Sequence, residues 1–62
     1  MKILLIKEMD QIIQPAISLE EFHAPNSFIA DLVAEASANG SATMEDDEGC
    51  PVTATVWERE DE

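Results

Sequence analysis

The residues most able to do chemistry in this chain are four consecutive acids, Glu45 to Glu48, which Gly49 and Cys50 follow at once. Three uses would suit such a run: a weak Ca²⁺ loop, a solvated hairpin tip, or a surface for a basic partner. The ligand pattern of an EF-hand is absent, because consecutive acids do not supply its alternating ligands. The run therefore favours a turn or a partner surface, and we expect no metal site.

Groups suited to catalysis are scarce. The chain has one cysteine and one histidine, so a Cys50–His23 dyad is its nearest approach to an activated nucleophile. The acidic neighbours of Cys50 should raise the pKa of its thiol and disfavour the reactive thiolate. Glu20 and His23 have the spacing of a di-iron ligand pair, but the matching ligands from other helices are missing. We therefore expect no enzymatic activity and no cofactor.

The charge of the chain is its strongest feature. Fourteen acids face three basic residues, which gives a formal net charge of −11. Nucleic acid and anionic membranes are bound through lysine and arginine, so we expect this chain to bind neither. Basic protein surfaces should attract it instead. Solubility needs a net charge of only about 2–8, and the excess therefore predicts a role in binding.

Length and cysteine content restrict the class of protein further. Sixty-two residues are enough for one domain with a small core. A single cysteine permits no internal disulfide, which suits the reducing cytoplasm of a bacterial or phage-infected cell. The apolar run after Lys2 ends at Lys7, too early for a signal peptide, and no stretch approaches the roughly 20 apolar residues of a membrane span.

The clearest predicted element is a helix over residues 27–38. Its apolar stripe at helical spacing consists of Phe28, Ile29, Leu32, Val33 and Ala36. Asn39 and Gly40 suit the C-terminal cap, since glycine adopts the left-handed conformation without strain. Before this helix, Ser18 to Glu21 matches a capping box and predicts a shorter helix, which Pro25 would end.

Strands are predicted on both sides of the main helix. KILLIK, residues 2–7, is short and nearly all apolar, as a buried strand is. Residues 42–46 and 52–57 alternate in polarity on either side of the acidic turn, which predicts a hairpin. Residues 12–17 form a further strand only if Pro15 lies at a sheet edge.

Together these elements predict a small two-layer α+β domain over residues 1–58, followed by an acidic tail over residues 59–62. One main helix would pack on one face of an antiparallel sheet of three strands, or four if residues 12–17 join it. The expected core consists of Ile3, Leu5, Phe28, Ile29, Leu32, Val33, Val52, Ala54 and Val56. Leu4, Ile6 and Trp57 would then form an apolar patch on the open face.

These features predict a non-enzymatic interaction protein that binds a basic surface, one built to handle nucleic acid. Carboxylates on a small rigid body would stand in for phosphates and compete for the same groove. Trp57 would serve as an apolar anchor within the interface. The predicted partner-binding residues are Asp31, Glu35, Glu45, Asp46, Asp47, Glu48, Trp57 and Glu58.

In size, charge and lack of catalytic groups, the chain resembles the small inhibitors that phages and mobile elements make against restriction or CRISPR machinery. The resemblance is one of type. It implies an antirestriction or anti-CRISPR function and assigns no site residues. The alternative is a structural or regulatory subunit, such as an antitoxin or a homodimeric building block. Such a subunit would depend on the apolar patch of Leu4, Ile6 and Trp57 rather than on the acids.

Overall fold

A computed structural model describes residues 1–60 as one helix packed on a four-stranded antiparallel sheet. The strands are β1 (Lys2–Glu8), β2 (Gln11–Ser18), β3 (Ser41–Glu45) and β4 (Pro51–Glu58), and their spatial order is β2-β1-β4-β3. The helix α1 (Ser27–Asn39) lies over β3 and β4. The predicted α+β fold is therefore confirmed, and the sheet has the fourth strand.

Both ends of α1 are fixed by local signals. The side-chain Oδ1 of Asn26 accepts a hydrogen bond of 2.9 Å from the Ile29 N–H, as an N-cap residue does. Gly40 takes a φ of 91° at the other end, and its N–H donates to the Ala36 carbonyl at 2.7 Å. These two caps place the helix almost where the apolar periodicity predicts it.

The buried face of α1 is narrower than its apolar stripe. Ile29, Leu32 and Ala36 are buried against the sheet. Phe28 and Val33, which were expected in the core, are half-buried and pack at its margin. The correction arises because one helix on a small sheet buries only the middle of the stripe.

The two faces of β1 are reversed relative to the prediction. Leu4 lies opposite Val56 and Ile6 lies opposite Ala54, and residues directly opposite in an antiparallel pair share a face. Leu4 and Ile6 are therefore under the helix layer, where their exposed fractions are 0% and 1%. The apolar patch that was expected to contain them does not exist on the open face.

Ile3 and Leu5, which were expected to face the helix, lie on the open face instead. Ile3 is opposite Trp57 and is buried beside it, while Leu5 is half-buried. The prediction was wrong because KILLIK is apolar without alternation, so its sequence does not indicate which face is inside. Pairing with β4 decides the faces, and a shift of one residue would exchange them.

The edge strand β2 is irregular. It contains Pro15, which an edge tolerates, and its pairing with β1 has two register shifts. Leu19–Glu21 then forms a single 3-10 turn in which Ser18 makes no side-chain cap bond. The capping-box helix expected here is therefore reduced to one turn, because three residues cannot form an α-helical hydrogen-bond ladder.

The chain ends of the described part lie together. The Met1 ammonium donates to the Arg59 carbonyl at 2.9 Å, and the Arg59 N–H donates to the Met1 carbonyl at 2.7 Å. Of the predicted acidic tail, Asp61 and Glu62 lie outside the described residues. Within the described residues, no helix has the length and apolar character needed to cross a membrane.

Candidate partner-binding surface

The acidic run forms the tip of the β3–β4 hairpin, as predicted. The Asp46 Oδ1 accepts hydrogen bonds from the backbone N–H groups of Glu48 and Cys50, each at 2.9 Å. Gly49 has a φ of 82°, and its N–H donates to the Asp46 carbonyl at 2.9 Å. Asp46 is thus half-buried and holds the turn, whereas Asp47 and Glu48 are exposed and make no side-chain hydrogen bond within the described residues.

The tip lies next to the beginning of α1. Asp46, Asp47 and Glu48 line one open depression together with Asn26 and Phe28. The first turn of α1 contains no acid of its own. Since carboxylates near a helix N-terminus interact favourably with its dipole, the tip supplies the negative charge that the first turn lacks. This local role accounts for part of the acidic run without any partner.

Further acids continue from the tip along the outside of α1. Asp31 and Glu35 are exposed and one helical turn apart, so their backbones are separated by about 6 Å along the axis. Glu45 is exposed at the end of β3. We call this half of the molecule the acidic end; it consists of Asp31, Glu35, Glu45, Asp46, Asp47 and Glu48.

Trp57 and Glu58, also predicted as contact residues, do not belong to the acidic end. They lie at the opposite end of β4 from Pro51, which at about 3.3 Å per residue is roughly 20 Å from the tip. Trp57 is 40% exposed on the open face. The Glu58 carboxylate forms an ion pair of 2.9 Å with the Met1 ammonium. One small partner surface would not cover both groups.

The carboxylates of the acidic end have no internal cation to neutralise them. Among residues 1–60, the pair between Glu58 and the N-terminus is the only ion pair. No charged side chain in that range is buried. The acidic end therefore presents concentrated negative charge to solvent, which can attract cations or a basic macromolecule.

One group near the tip was missed by the sequence interpretation. Glu8, at the end of β1, comes close to Asp46 and Cys50, and single ligand atoms of the three residues all lie within 4.8 Å of one another. Glu8 reaches the tip because the β1–β4 register places it opposite Val52. The sequence does not show this proximity, since it does not reveal which strands pair. All three side chains are half-buried.

The electrostatics of this trio act mainly on the cysteine. Partial burial raises the pKa of the Cys50 thiol, and the charges of Asp46, Glu8 and Glu48 raise it further. The expected direction of this shift is confirmed. A cation such as Zn²⁺ would have to displace the thiol proton, and one Asp46 oxygen already accepts two backbone hydrogen bonds. Closure of the turn explains why Asp46 and Cys50 are close, and the β1–β4 pairing brings Glu8 beside them.

His23 lies elsewhere, on the β2 side of the molecule. It lines an open groove with Phe22 and Ile13. Cys50 lies at the hairpin tip with Glu8 and Asp46. The two members of the conceivable dyad thus belong to different surfaces.

Comparison of the chain with family models, curated proteins and solved structures found no match in any of the three.

Proposed function

We propose that the chain is a non-enzymatic inhibitor whose acidic end binds the basic surface of a nucleic-acid-handling protein and competes there with nucleic acid. One observation carries the proposal: five of the six acidic residues of the acidic end are exposed, and no cation of residues 1–60 pairs with any of the six. The helix dipole accounts for some of the negative charge at the tip. It does not account for Asp31 or Glu35, which lie beyond the first turn of α1.

The magnitudes favour several weak contacts over a single strong one. Opposite charges 4 Å apart near a protein surface attract by about 4 kcal/mol. An exposed pair contributes only about 0–1 kcal/mol, because ordering the two side chains and screening by salt offset most of that attraction. Six carboxylates on one end can therefore support binding only together. Their larger effect is on the rate of encounter, because a concentrated charge steers an oppositely charged partner.

The partner class follows from the same charge. Proteins that bind DNA or RNA carry lysine and arginine in the groove that holds the phosphates. A small acidic body that fills such a groove blocks it without any catalytic group. Inhibition of restriction or CRISPR complexes in the cytoplasm of a phage-infected bacterium is the specific form that we favour. It rests on the resemblance in size, charge and scarcity of catalytic groups.

The alternative, a subunit that uses an apolar sheet face, loses its expected contact residues. Leu4 and Ile6 are buried under the helix layer, so only Trp57 of the predicted patch is exposed. On the open face, Trp57 is the only exposed apolar side chain of β1 and β4: Ile3 is buried, and Leu5, Thr53 and Thr55 are half-buried. That face is a weaker candidate for a partner than the acidic end.

The experiment is capture from a bacterial lysate on the immobilised chain, followed by elution with a DNA duplex. We expect the retained proteins to be nucleic-acid-binding proteins that the duplex releases. The variant Asp47→Asn/Glu48→Gln removes two charges from the acidic end and should retain less. Its matched control, Glu20→Gln/Glu21→Gln, removes two exposed charges from the 3-10 turn.

The control variant should retain the same proteins as the parent chain. If the duplex releases nothing, or if the two variants lose retention equally, the acidic end is not a competitor of nucleic acid. Retention that depends only on total charge would indicate unspecific ion exchange.

A further inference from the structure

The two edges of the sheet differ in how well they are protected against pairing with another chain. β2, at one edge, contains Pro15 and has two register shifts in its pairing with β1. Proline and irregular pairing are devices that blunt an edge strand. β3, at the other edge, has neither: its five residues pair with β4 in one unbroken register. The edge of β3 is therefore the one open to strand addition.

Two hydrogen bonds show which backbone groups of β3 face outward. The Val56 N–H donates to the Gly40 carbonyl at 2.8 Å just before β3. The Asp46 N–H donates to the Cys50 carbonyl at 3.0 Å just after it. Hydrogen-bonded and non-hydrogen-bonded pairs alternate along an antiparallel ladder, so the even-numbered residues of β3 also direct their N–H and C=O groups at β4. The residues that direct these groups away from β4 are Ser41, Thr43 and Glu45.

These outward groups have no backbone partner in the described part of the chain. β3 is the last strand of the sheet, and β4 is its only neighbour among residues 1–60. Ser41, Thr43 and Glu45 are also exposed. A strand laid beside β3 would meet a donor and an acceptor at every second residue, or about every 7 Å.

The side chains of β3 specify what such a strand would carry. Ala42 and Met44 face the helix side of the sheet, where they are half-buried and pack against the core. Thr43 and Glu45 face the open side, and the Thr43 hydroxyl lies 3.0 Å from that of Thr53. Residues opposite each other share a face, so the added strand would place apolar side chains beside Met44 and polar ones beside Glu45.

Charge selects a basic segment as the occupant. Glu45 is exposed at the end of β3, and exposed Asp47 and Glu48 follow it in the tip. None of residues 41–50 is basic. Lysine or arginine in an added strand would meet only carboxylates along this edge, whereas an acidic segment would be repelled.

We infer that β3 binds an extended segment of the partner by strand addition, and that this segment alternates basic residues with apolar ones. Backbone hydrogen bonds to the outward groups of β3 would hold the segment in register. Its basic side chains would reach Glu45 and the tip on the open side. The inference rests on the proposed function, since it gives a form to the basic surface that the acidic end binds.

A second copy of β3 suits this edge less well. Its pairing would bring together two chains of net charge −11. In a two-fold antiparallel pair centred on Thr43, Glu45 would lie opposite Ser41 of the second copy, so no opposite charges would meet. The edge therefore fits a basic strand better than its own duplicate.

The test uses a synthetic peptide of seven residues that alternates lysine with valine. Two further forms carry N-methyl groups, one on the lysine amides and the other on the valine amides, so all three have the same charge. An added strand turns every second amide toward β3. One methylated form should therefore bind at least tenfold more weakly than the parent peptide, and the other should bind equally well. Nuclear magnetic resonance should show slower hydrogen exchange at the Ser41, Thr43 and Glu45 amides when the parent peptide is bound.

A pair of chain variants tests the same contact from the other side. Thr43→Pro removes an outward N–H and leaves the hydrogen bonds to β4 in place, as an edge strand tolerates. Thr43→Ala is its matched control, because it also loses the hydroxyl but keeps the N–H. We expect Thr43→Pro to weaken binding of the parent peptide about tenfold and Thr43→Ala to leave it nearly unchanged. If Thr43→Pro does not fold, the methylated peptides on the unaltered chain decide.

The outcomes separate this inference from the proposed function. Equal binding of all three peptides, weakened by Asp47→Asn/Glu48→Gln, would overturn strand addition and leave the acidic end as a surface that binds by charge alone. Loss of binding with Thr43→Pro but not with the tip variant would contradict both, since the contact would then not depend on the acids. A dimer of the chain that Thr43→Pro abolishes, with no binding of the peptide, would overturn the inference in favour of a second copy.

Discussion

The two edge strands of the four-stranded sheet, β3 at the acidic end and β2 at the other edge, differ in almost every property that governs binding. At the acidic end, side chains are charged, exposed and spread over the tip, β3 and the outside of α1. β2 contains no charged residue, and its Ile12 and Ile13 are exposed. We propose the β3 edge as the contact for a basic partner, and β2 carries no charge that would attract one.

The difference follows from where the helix lies. Because α1 covers β3 and β4, its outer surface adds carboxylates to that half of the molecule. The β1–β2 half receives only the 3-10 turn, so part of its apolar surface stays open. A chain with one helix on four strands cannot cover the whole sheet, and the uncovered half becomes available for contact.

The largest effect that we predict concerns the core on which both edges depend. Leu4→Ala and Leu32→Ala should each lower the free energy of unfolding by about 2–5 kcal/mol, because both side chains are fully buried. Leu5→Ala should cost clearly less, since Leu5 is half-buried on the open face. Urea denaturation of the three variants measures this directly. Equal losses for Leu4 and Leu5 would contradict the assignment of faces in β1.

A smaller effect should separate the acidic tip from the β2 edge of the sheet. Asn26→Ala removes the cap of α1 and should cost about 0.5–2 kcal/mol. It should also disturb the acidic tip, which lines the same depression as Asn26. Chemical shifts of the backbone amides would show whether the changes stay near the tip. Changes of the same size around Ile17, which lies on β2 far from the tip, would mean that the two edges are coupled.

The smallest effect that we predict concerns the reactivity of the Cys50 thiol, with little change in stability. Glu8→Gln removes one of the charges that raise the pKa of the Cys50 thiol, so the thiolate should form at a lower pH. Alkylation by iodoacetamide, followed as a function of pH, should become faster below the pKa. Glu35→Gln is the control, because Glu35 is not among the charges that raise this pKa. Equal alkylation rates for Glu8→Gln and Glu35→Gln would contradict the claim that the Glu8 charge raises the pKa of the Cys50 thiol.

Much of this architecture could be predicted from the sequence. The helix was indicated by a regular apolar stripe and a terminal glycine, and the β3–β4 hairpin by alternation on both sides of an acidic turn. The faces of β1 could not be predicted, because a continuous apolar run does not distinguish them. β2 was ambiguous, since Pro15 fits either a loop or an edge strand.

The candidate surfaces could be predicted only where their residues are close together in sequence. The acids of the tip are adjacent in sequence, so their clustering was evident, whereas the approach of Glu8 to Cys50 depends on the β1–β4 register. Trp57 and Glu58 were grouped with the tip because they follow it closely along the chain. An extended strand separates them by about 20 Å, which composition alone does not reveal.

The measurement that tests the central claim most directly is the salt dependence of binding between the chain and a basic protein captured from the lysate. We compare the parent with Asp47→Asn/Glu48→Gln, which leaves the turn-forming Asp46 in place, and with Glu20→Gln/Glu21→Gln. If the acidic end makes the contact, affinity should fall steeply with salt for the parent, and the slope should flatten for the tip variant only. Folding should change by no more than about 0.5 kcal/mol in either variant. Identical slopes for the parent and the tip variant would show that the tip is a solvated turn and would contradict the account.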